Sequence, residues 1–147
     1  MKITVVIITK DRPFQLKNAL DSLSAQTRKA DEVVVVENRA GASREVCRII
    51  EECKPKLNIY FVLEPCIGIP LARNAGVRAA TGDIIAFLDD DCVADSNWLK
   101  TLETPFLRDK TIGMVGGGLT HGNEARTFVE KFLNSSVAVG NGQNVII

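Results

Sequence analysis

Three carboxylates stand side by side in the stretch GDIIAFLDDDC: Asp89, Asp90 and Asp91. They follow an apolar run, Ile84 to Leu88, with no spacer. Adjacent carboxylates repel one another unless something neutralises them. A divalent cation does this well, because Mg²⁺ and Mn²⁺ take carboxylate oxygens and keep coordination positions open for substrate phosphates. Side chains alternate along an extended segment, so Asp89 and Asp91 are expected to point to one side. Asp90 then faces the other way or reaches a ribose hydroxyl. A run of three aspartates also describes a solvated acidic turn or a helix-capping cluster ahead of Trp98. Its position at the end of an apolar strand is what favours the metal.

Other residues gain meaning from similar positions. Glu37 ends the run of four valines in DEVVVVEN, where a carboxylate either accepts a hydrogen bond from a base N–H or ribose hydroxyl, or simply exits to solvent. Arg73 stands early in the segment PLARNAG. A cation is disfavoured at a helix N-terminus, so it points to an anionic partner or to a neighbouring carboxylate. Lys10 and Arg12 follow the first apolar run and are candidates for steering phosphate. Gly68 in CIGIP allows close backbone approach or makes a turn. His121, the single histidine, is a weaker candidate for metal or phosphate. The glycines at 116–118 are no phosphate loop, since no Lys-Ser/Thr pair follows, and no G-x-G-x-x-G follows the first apolar run.

These residues need a scaffold that gathers them. ITVVIIT (Ile3 to Thr9) is β-branched almost throughout and apolar on both faces, as a strand covered on both sides should be. The second strand is DEVVVVEN, the third KLNIYFVLE, the fourth TGDIIAFLD, and the fifth IGMVGGG. Between them run helical patterns. The first opens at Pro13, with Leu16, Ala19, Leu20 and Leu23 on one face. The second is capped by Ser43, with Val46, Ile49, Ile50 and Cys53 inward. The third opens at Pro70, with Leu71, Ala75 and Val77 to Ala79 available for packing. The fourth is capped by Asp95 or Ser96, with Trp98, Leu99, Leu102 and Phe106 inward. This alternation predicts an α/β fold, a mainly parallel sheet with helices on both faces. Ligands in such a sheet bind beyond the carboxyl ends of the strands, where Lys10, Arg12, Glu37, Gly68, Asp89 to Asp91 and His121 fall.

The bulk properties set limits. At 147 residues, one domain is expected. Apolar residues make up 46%, enough for a core, and 18 basic residues balance 18 acidic ones, so no basic field points to nucleic acid. The opening MKITVVIITK is too short in its apolar part for a signal peptide, and no run spans a bilayer. A cytoplasmic chain is expected, with peripheral association at the inner face of the membrane left open. Cys47, Cys53, Cys66 and Cys92 form no CxxC pair, so buried, reduced thiols are expected rather than a zinc site.

Taken together, VVIITKDRPFQLKNALDSLSAQT, DEVVVVEN, GIPLARNAGVRAATGDIIAFLDDDC and NWL resemble, in order and spacing, the family-two glycosyltransferases of the GT-A fold. The likeness is collinear from Ile3 to about Leu102. It implies a Rossmann-like nucleotide-binding half and a metal-dependent, inverting transfer of sugar from a nucleotide-diphosphate sugar, UDP- or GDP-linked, to a hydroxyl of a saccharide, lipid or other acceptor. On that resemblance Thr9, Asp11 and Arg12 cradle the nucleotide. Glu37 contacts the base, although family members often carry Asp there, and Arg73 lies near the nucleotide. Asp89 and Asp90 serve ribose and metal support, and Asp91, with Asp89, binds Mg²⁺ or Mn²⁺. The base that deprotonates the acceptor belongs to a later acidic motif in the family, whereas here nothing acidic follows Glu130. The ending GNGQNVII resembles the strand before the acceptor half, and a domain rarely ends on an exposed Val-Ile-Ile run. Residues 1–147 are therefore expected to form one donor-binding domain, incomplete at its C-terminus and by itself inactive. The alternatives are a nucleotidyltransferase, which wants glycine in the loop after strand one, a dehalogenase-type phosphatase, which wants a nucleophile there, and a non-catalytic nucleotide-binding module.

Overall fold

A computed structural model describes residues 1–118 together with the backbone of a further strand at Val137–Gly140. The elements run β1 (Ile3–Thr9), α1 (Pro13–Ser24), β2 (Glu32–Glu37), α2 (Arg44–Cys53), β3 (Ile59–Leu63), α3 (Ile69–Ala79), β4 (Ile84–Asp89), α4 (Trp98–Arg108), β5 (Met114–Gly116) and β6 (Val137–Gly140). They build one sheet in the order β3-β2-β1-β4-β6-β5. The first four strands are parallel, as short β-branched runs joined by helices require. β6 pairs antiparallel with both β4 and β5. The expected fifth strand is thus only three residues long and sits at the sheet's far edge. The strand beside β4 is Val-Ala-Val-Gly, too short to stand out in the sequence. His121, Thr120 and the terminal Val-Ile-Ile run lie outside the described residues.

Two cores flank the sheet. Ile3, Val5, Ile7, Val33, Val35, Ile84, Ala86 and Leu88 face α1, α2 and α4. Val6, Val34, Val36 and Ile85 face α3. The alternation within β1, β2 and β4 serves both faces, which is why these strands read as unbroken apolar runs. Among the described residues no helix is long and apolar enough to cross a membrane.

The helices follow from their stripes. In α1, Leu16, Ala19, Leu20 and Leu23 are buried, and Pro13 opens the helix where its missing N–H is no loss. In α2, Ser43 caps the helix through Val46 N, and Val46, Ile49, Ile50 and Cys53 are buried. Two expectations fail. Leu71 is 46% exposed; of the residues expected to pack, Ala75 is buried and Val77 and Ala79 are partly buried against the core, while Ala72 and Gly76 are buried beside them. A Cβ at Gly76 would lie 2.4 Å from Val6 Cγ1, so small residues let this helix approach the sheet closely. Neither Asp95 nor Ser96 caps α4. Asp95 Oδ1 accepts from Asn97 N at 2.9 Å, while buried Gln26, at the end of α1, accepts from Leu99 N at 3.1 Å through Oε1. Its Nε2 also donates to Asp95 O at 2.6 Å, so α1 fixes the start of α4 from outside the helix.

Candidate functional site

Strand register brings the acidic residues to one edge. Thr9 lies opposite Glu37, and Ile8 opposite Asp89. Asp89 closes β4, and the chain then turns, with Cys92 N donating to Asp89 O at 3.1 Å. Asp89 and Asp91 are exposed, whereas Asp90 is buried. One oxygen from each of Asp89 and Asp91 and the Cys92 Sγ lie within 4.8 Å of one another. The same-side placement expected from strand alternation is therefore reached through a turn rather than an extended chain.

Asp90 goes inward. Its Oδ2 accepts from Thr9 Oγ1 at 2.8 Å, and its Oδ1 accepts from Arg12 Nη1 at 3.3 Å. The same Arg12 nitrogen reaches Asp91 Oδ2 at 3.4 Å. Burial pushes the Asp90 carboxyl above its ordinary range against the opposing pull of Thr9 and Arg12. Thr9 is itself buried, with its hydroxyl engaged by Asp90, so it shapes the acidic turn from beneath. Burial first, and then Asp89, Asp91 and Asp90, push the Cys92 thiol up to about 11, which keeps it protonated at neutral pH.

A second group forms at the end of β2. Glu37 is fully buried, not an exit to solvent. Its Oε2 accepts from Ser43 N at 2.9 Å. Among the described residues its Oε1 has no hydrogen-bond partner, and the nearest cation is Arg39 Nη1 at 3.9 Å. Arg39 also donates to Asp11 Oδ1 at 2.8 Å. Asp11 adopts φ +54, a region non-glycine residues seldom occupy, so the turn after β1 holds a strained backbone at the same edge. A buried carboxylate oxygen without a hydrogen-bond donor is costly, and the Arg39 charge beside it offsets part of that cost.

Asn38 carries more of this edge than its sequence context suggests. Nearly buried, it donates through Nδ2 to Glu64 O at 3.0 Å and to Cys66 O at 2.8 Å, and accepts from Gly68 N at 2.8 Å. One amide thus folds the CIGIP loop back over β2. Gly68 has φ +156, which glycine adopts without strain, and it leads directly into α3. Arg73 lies on α3 with its guanidinium 5.9 Å above the Phe87 ring. Phe87 and Asp89 are two apart on β4 and share a face, so Arg73 sits on the Asp89 side of the sheet. A polar residue directly after an apolar run is the only sequence signal that marked Asn38 or Arg39. Of the four thiols, all free, only Cys53 is buried. Cys47 and Cys92 are half-buried and Cys66 is exposed, which corrects the expectation of buried thiols.

The edge therefore gathers Thr9, Asp11, Arg12, Glu37, Arg73, Asp89, Asp90 and Asp91, held by Asn38 and Arg39. Paired exposed carboxylates offer hard oxygen donors to a divalent cation.

A family model described as glycosyl transferase family 2 matches residues 4–136. An uncharacterized glycosyltransferase of Bacillus subtilis, YwdF, is 41% identical over 92 residues, 62% of this chain and 33% of the relative. The glucosyl-dolichyl phosphate glucuronosyltransferase of Haloferax volcanii is 30% identical over 123 residues, 80% of this chain and 38% of the relative. Among solved structures, a mannosyltransferase from Pyrobaculum calidifontis in complex with GDP-Man and Mn²⁺ superimposes with a TM-score of 0.76 at 23% identity, over 95% of this chain and 44% of that one. The chain thus spans about a third of the length of these curated relatives.

Proposed function

The chain belongs to glycosyl transferase family 2, and from that premise we propose that it binds the donor of a metal-dependent, inverting glycosyl transfer, from a nucleotide-diphosphate sugar to an acceptor hydroxyl. The observation that carries this reading is the acidic turn: Asp89 and Asp91 exposed side by side at the carboxyl end of β4, with Asp90 anchored beneath them. The P. calidifontis neighbour, of the same fold, is described with GDP-Man and Mn²⁺, which supports a nucleotide-sugar donor and a divalent cation.

Each residue then has a task. Asp91 and Asp89 hold Mg²⁺ or Mn²⁺, whose chemistry when bound is that of a Lewis acid for the charge of the departing diphosphate. Asp90, fixed by Thr9 and Arg12, keeps the turn in the shape that presents its neighbours. Glu37 offers Oε1, which has no hydrogen-bond donor among the described residues, to an N–H of the base or a ribose hydroxyl. Asp11 and Arg39 close that side, and Arg73 supplies positive charge on the Asp89 face. The nucleotide base and the sugar are settled by pocket shape that the charges alone do not define, so UDP- and GDP-linked donors both stand. The acceptor is a saccharide, lipid or other hydroxyl compound, and the general base comes from outside the donor residues named here. In the cell the protein works in the cytoplasm or at the inner face of the membrane, on cell-wall or polysaccharide precursors.

Isothermal titration calorimetry of UDP and of GDP, with and without Mn²⁺, tests this. Binding of one nucleotide that depends on Mn²⁺ and disappears in Asp91→Ala supports the reading. Binding indifferent to Mn²⁺, or absent for both nucleotides, contradicts it.

A further inference from the structure

One guanidinium nitrogen serves two of the three acidic residues. Arg12 Nη1 lies 3.3 Å from Asp90 Oδ1 and 3.4 Å from Asp91 Oδ2. Charge-assisted bonds are ordinarily about 2.7–2.9 Å, so Arg12 is shared between both carboxylates and held tightly by neither. The two partners differ. Asp90 is 8% exposed in its side chain and retained by Thr9, whereas Asp91 is 58% exposed. The Arg12 side chain is itself 53% exposed, but its backbone is pinned, since Arg12 O accepts from Leu16 N at 3.0 Å and Pro13 follows. The root is fixed and the head group has room to swing. Three carboxylates against one guanidinium leave two negative charges, the charge of one divalent cation.

We propose that Arg12 is the resident counter-cation of the acidic turn, and that its release from Asp91 couples cation binding to capture of the diphosphate. A cation on Asp89 and Asp91 takes over the Arg12 contact to Asp91, and the freed guanidinium, still rooted at the mouth of the site, pairs with phosphate oxygens. Arg12 therefore weakens the cation's binding when no nucleotide is present and strengthens it when one is. The inference rests on the donor-site reading above. It adds a coupling to that site, with cation and nucleotide each raising the other's affinity, as linkage requires.

Electron paramagnetic resonance titration of Mn²⁺ into the chain, alone and with UDP or GDP, tests it without recourse to transfer activity. Removing one positive charge next to the site in Arg12→Gln is expected to tighten Mn²⁺ binding about three- to tenfold in the absence of nucleotide. The increase in Mn²⁺ affinity on adding nucleotide is expected to shrink by more than that factor, so that with nucleotide present the variant binds Mn²⁺ more weakly than wild type. Arg12→Lys keeps the charge and stays near wild type. Lys17→Gln makes the same change in net charge, at a residue paired with Asp21 on α1, and leaves Mn²⁺ affinity unchanged. Circular dichroism establishes that each variant is folded. Unchanged or weaker Mn²⁺ binding in Arg12→Gln overturns the inference and leaves the cation site standing, and so does an equal gain in Lys17→Gln. A wild-type chain that binds no Mn²⁺ under either condition overturns both.

Discussion

Gly76 is where α3 touches the sheet, and substituting it measures how closely the fold depends on that approach. A Cβ there would lie 2.4 Å from Val6 Cγ1 and 3.3 Å from Val36 Cγ2. Both valines are fully buried on central strands, and β-branched side chains have little freedom to turn away. Helix propensity alone favours alanine by about 1 kcal/mol. Overpacking of a closed core costs about 1–3 kcal/mol, and a contact this short belongs at the upper end of that range. Gly76→Ala is therefore expected to destabilise the fold by about 1–2 kcal/mol, the difference between the two effects. That corresponds to a fall of roughly 2–8 °C in Tm for a chain of this size. Urea unfolding followed by circular dichroism reads the change, which should appear in the midpoint with an unaltered slope. Adding Val6→Ala makes room for the new methyl, so the double variant should lose less than the sum of the two single losses. A Gly76→Ala chain as stable as wild type, or more stable, refutes the claim that close approach of α3 is what this glycine provides.

Three other substitutions probe the site and its supports. Glu37→Gln keeps the shape and the acceptor for Ser43 N but removes a buried charge. It should lower nucleotide affinity about tenfold, the loss of one charged hydrogen bond, without lowering Tm, and a parallel fall in both would make Glu37 merely structural. Asp90 has a folded pKa above its ordinary 3.8, so its contribution to stability is full below 3.8 and is lost as pH rises through the folded value. Wild type should accordingly lose stability relative to Asp90→Asn across that interval, and a constant difference from pH 3 to 7 would contradict the burial argument. Ser43→Ala removes the α2 cap, whose Oγ accepts from Val46 N at 3.4 Å. A loss of about 0.5–1 kcal/mol in denaturant unfolding is expected.

The parts of the fold that were legible in the sequence are those where a pattern has one physical reading. The stripes Leu16–Ala19–Leu20–Leu23 and Val46–Ile49–Ile50–Cys53 are buried as their spacing requires, because only one helix face can carry them inward. The four parallel strands were equally plain, since unbroken β-branched runs between helices fit a sheet covered on both sides. The failures have a common cause in contacts distant along the chain. Leu71 looks like a packing residue, yet it is exposed, and α3 buries Ala72, Ala75 and Gly76, the last of them against Val6 and Val36. Gln26 replaces a local cap on α4 from over seventy positions away. In the site, the strand-end positions of Glu37 and Asp89 to Asp91 could be read directly, as could the family likeness. That Asp90 faces away from Asp89 and Asp91 followed from alternation, but the partners of Asp90 and Glu37 did not. That Asp90 turns inward to Thr9 depends on a hydrogen bond spanning 81 residues, and the burial of Glu37 depends on the Ser43 amide closing over it.

The central claim is that the turn after β4 holds a divalent cation together with a nucleotide diphosphate. At 16.0 kDa the chain is open to amide-resolved NMR, and paramagnetic broadening by substoichiometric Mn²⁺ in the presence of UDP or GDP locates the ion directly. The account predicts broadening centred on the amides of Asp89 to Cys92, extending to Thr9 and Arg12, strengthened by the nucleotide and abolished in Asp91→Ala. Broadening centred elsewhere, or unchanged in Asp91→Ala, would contradict it.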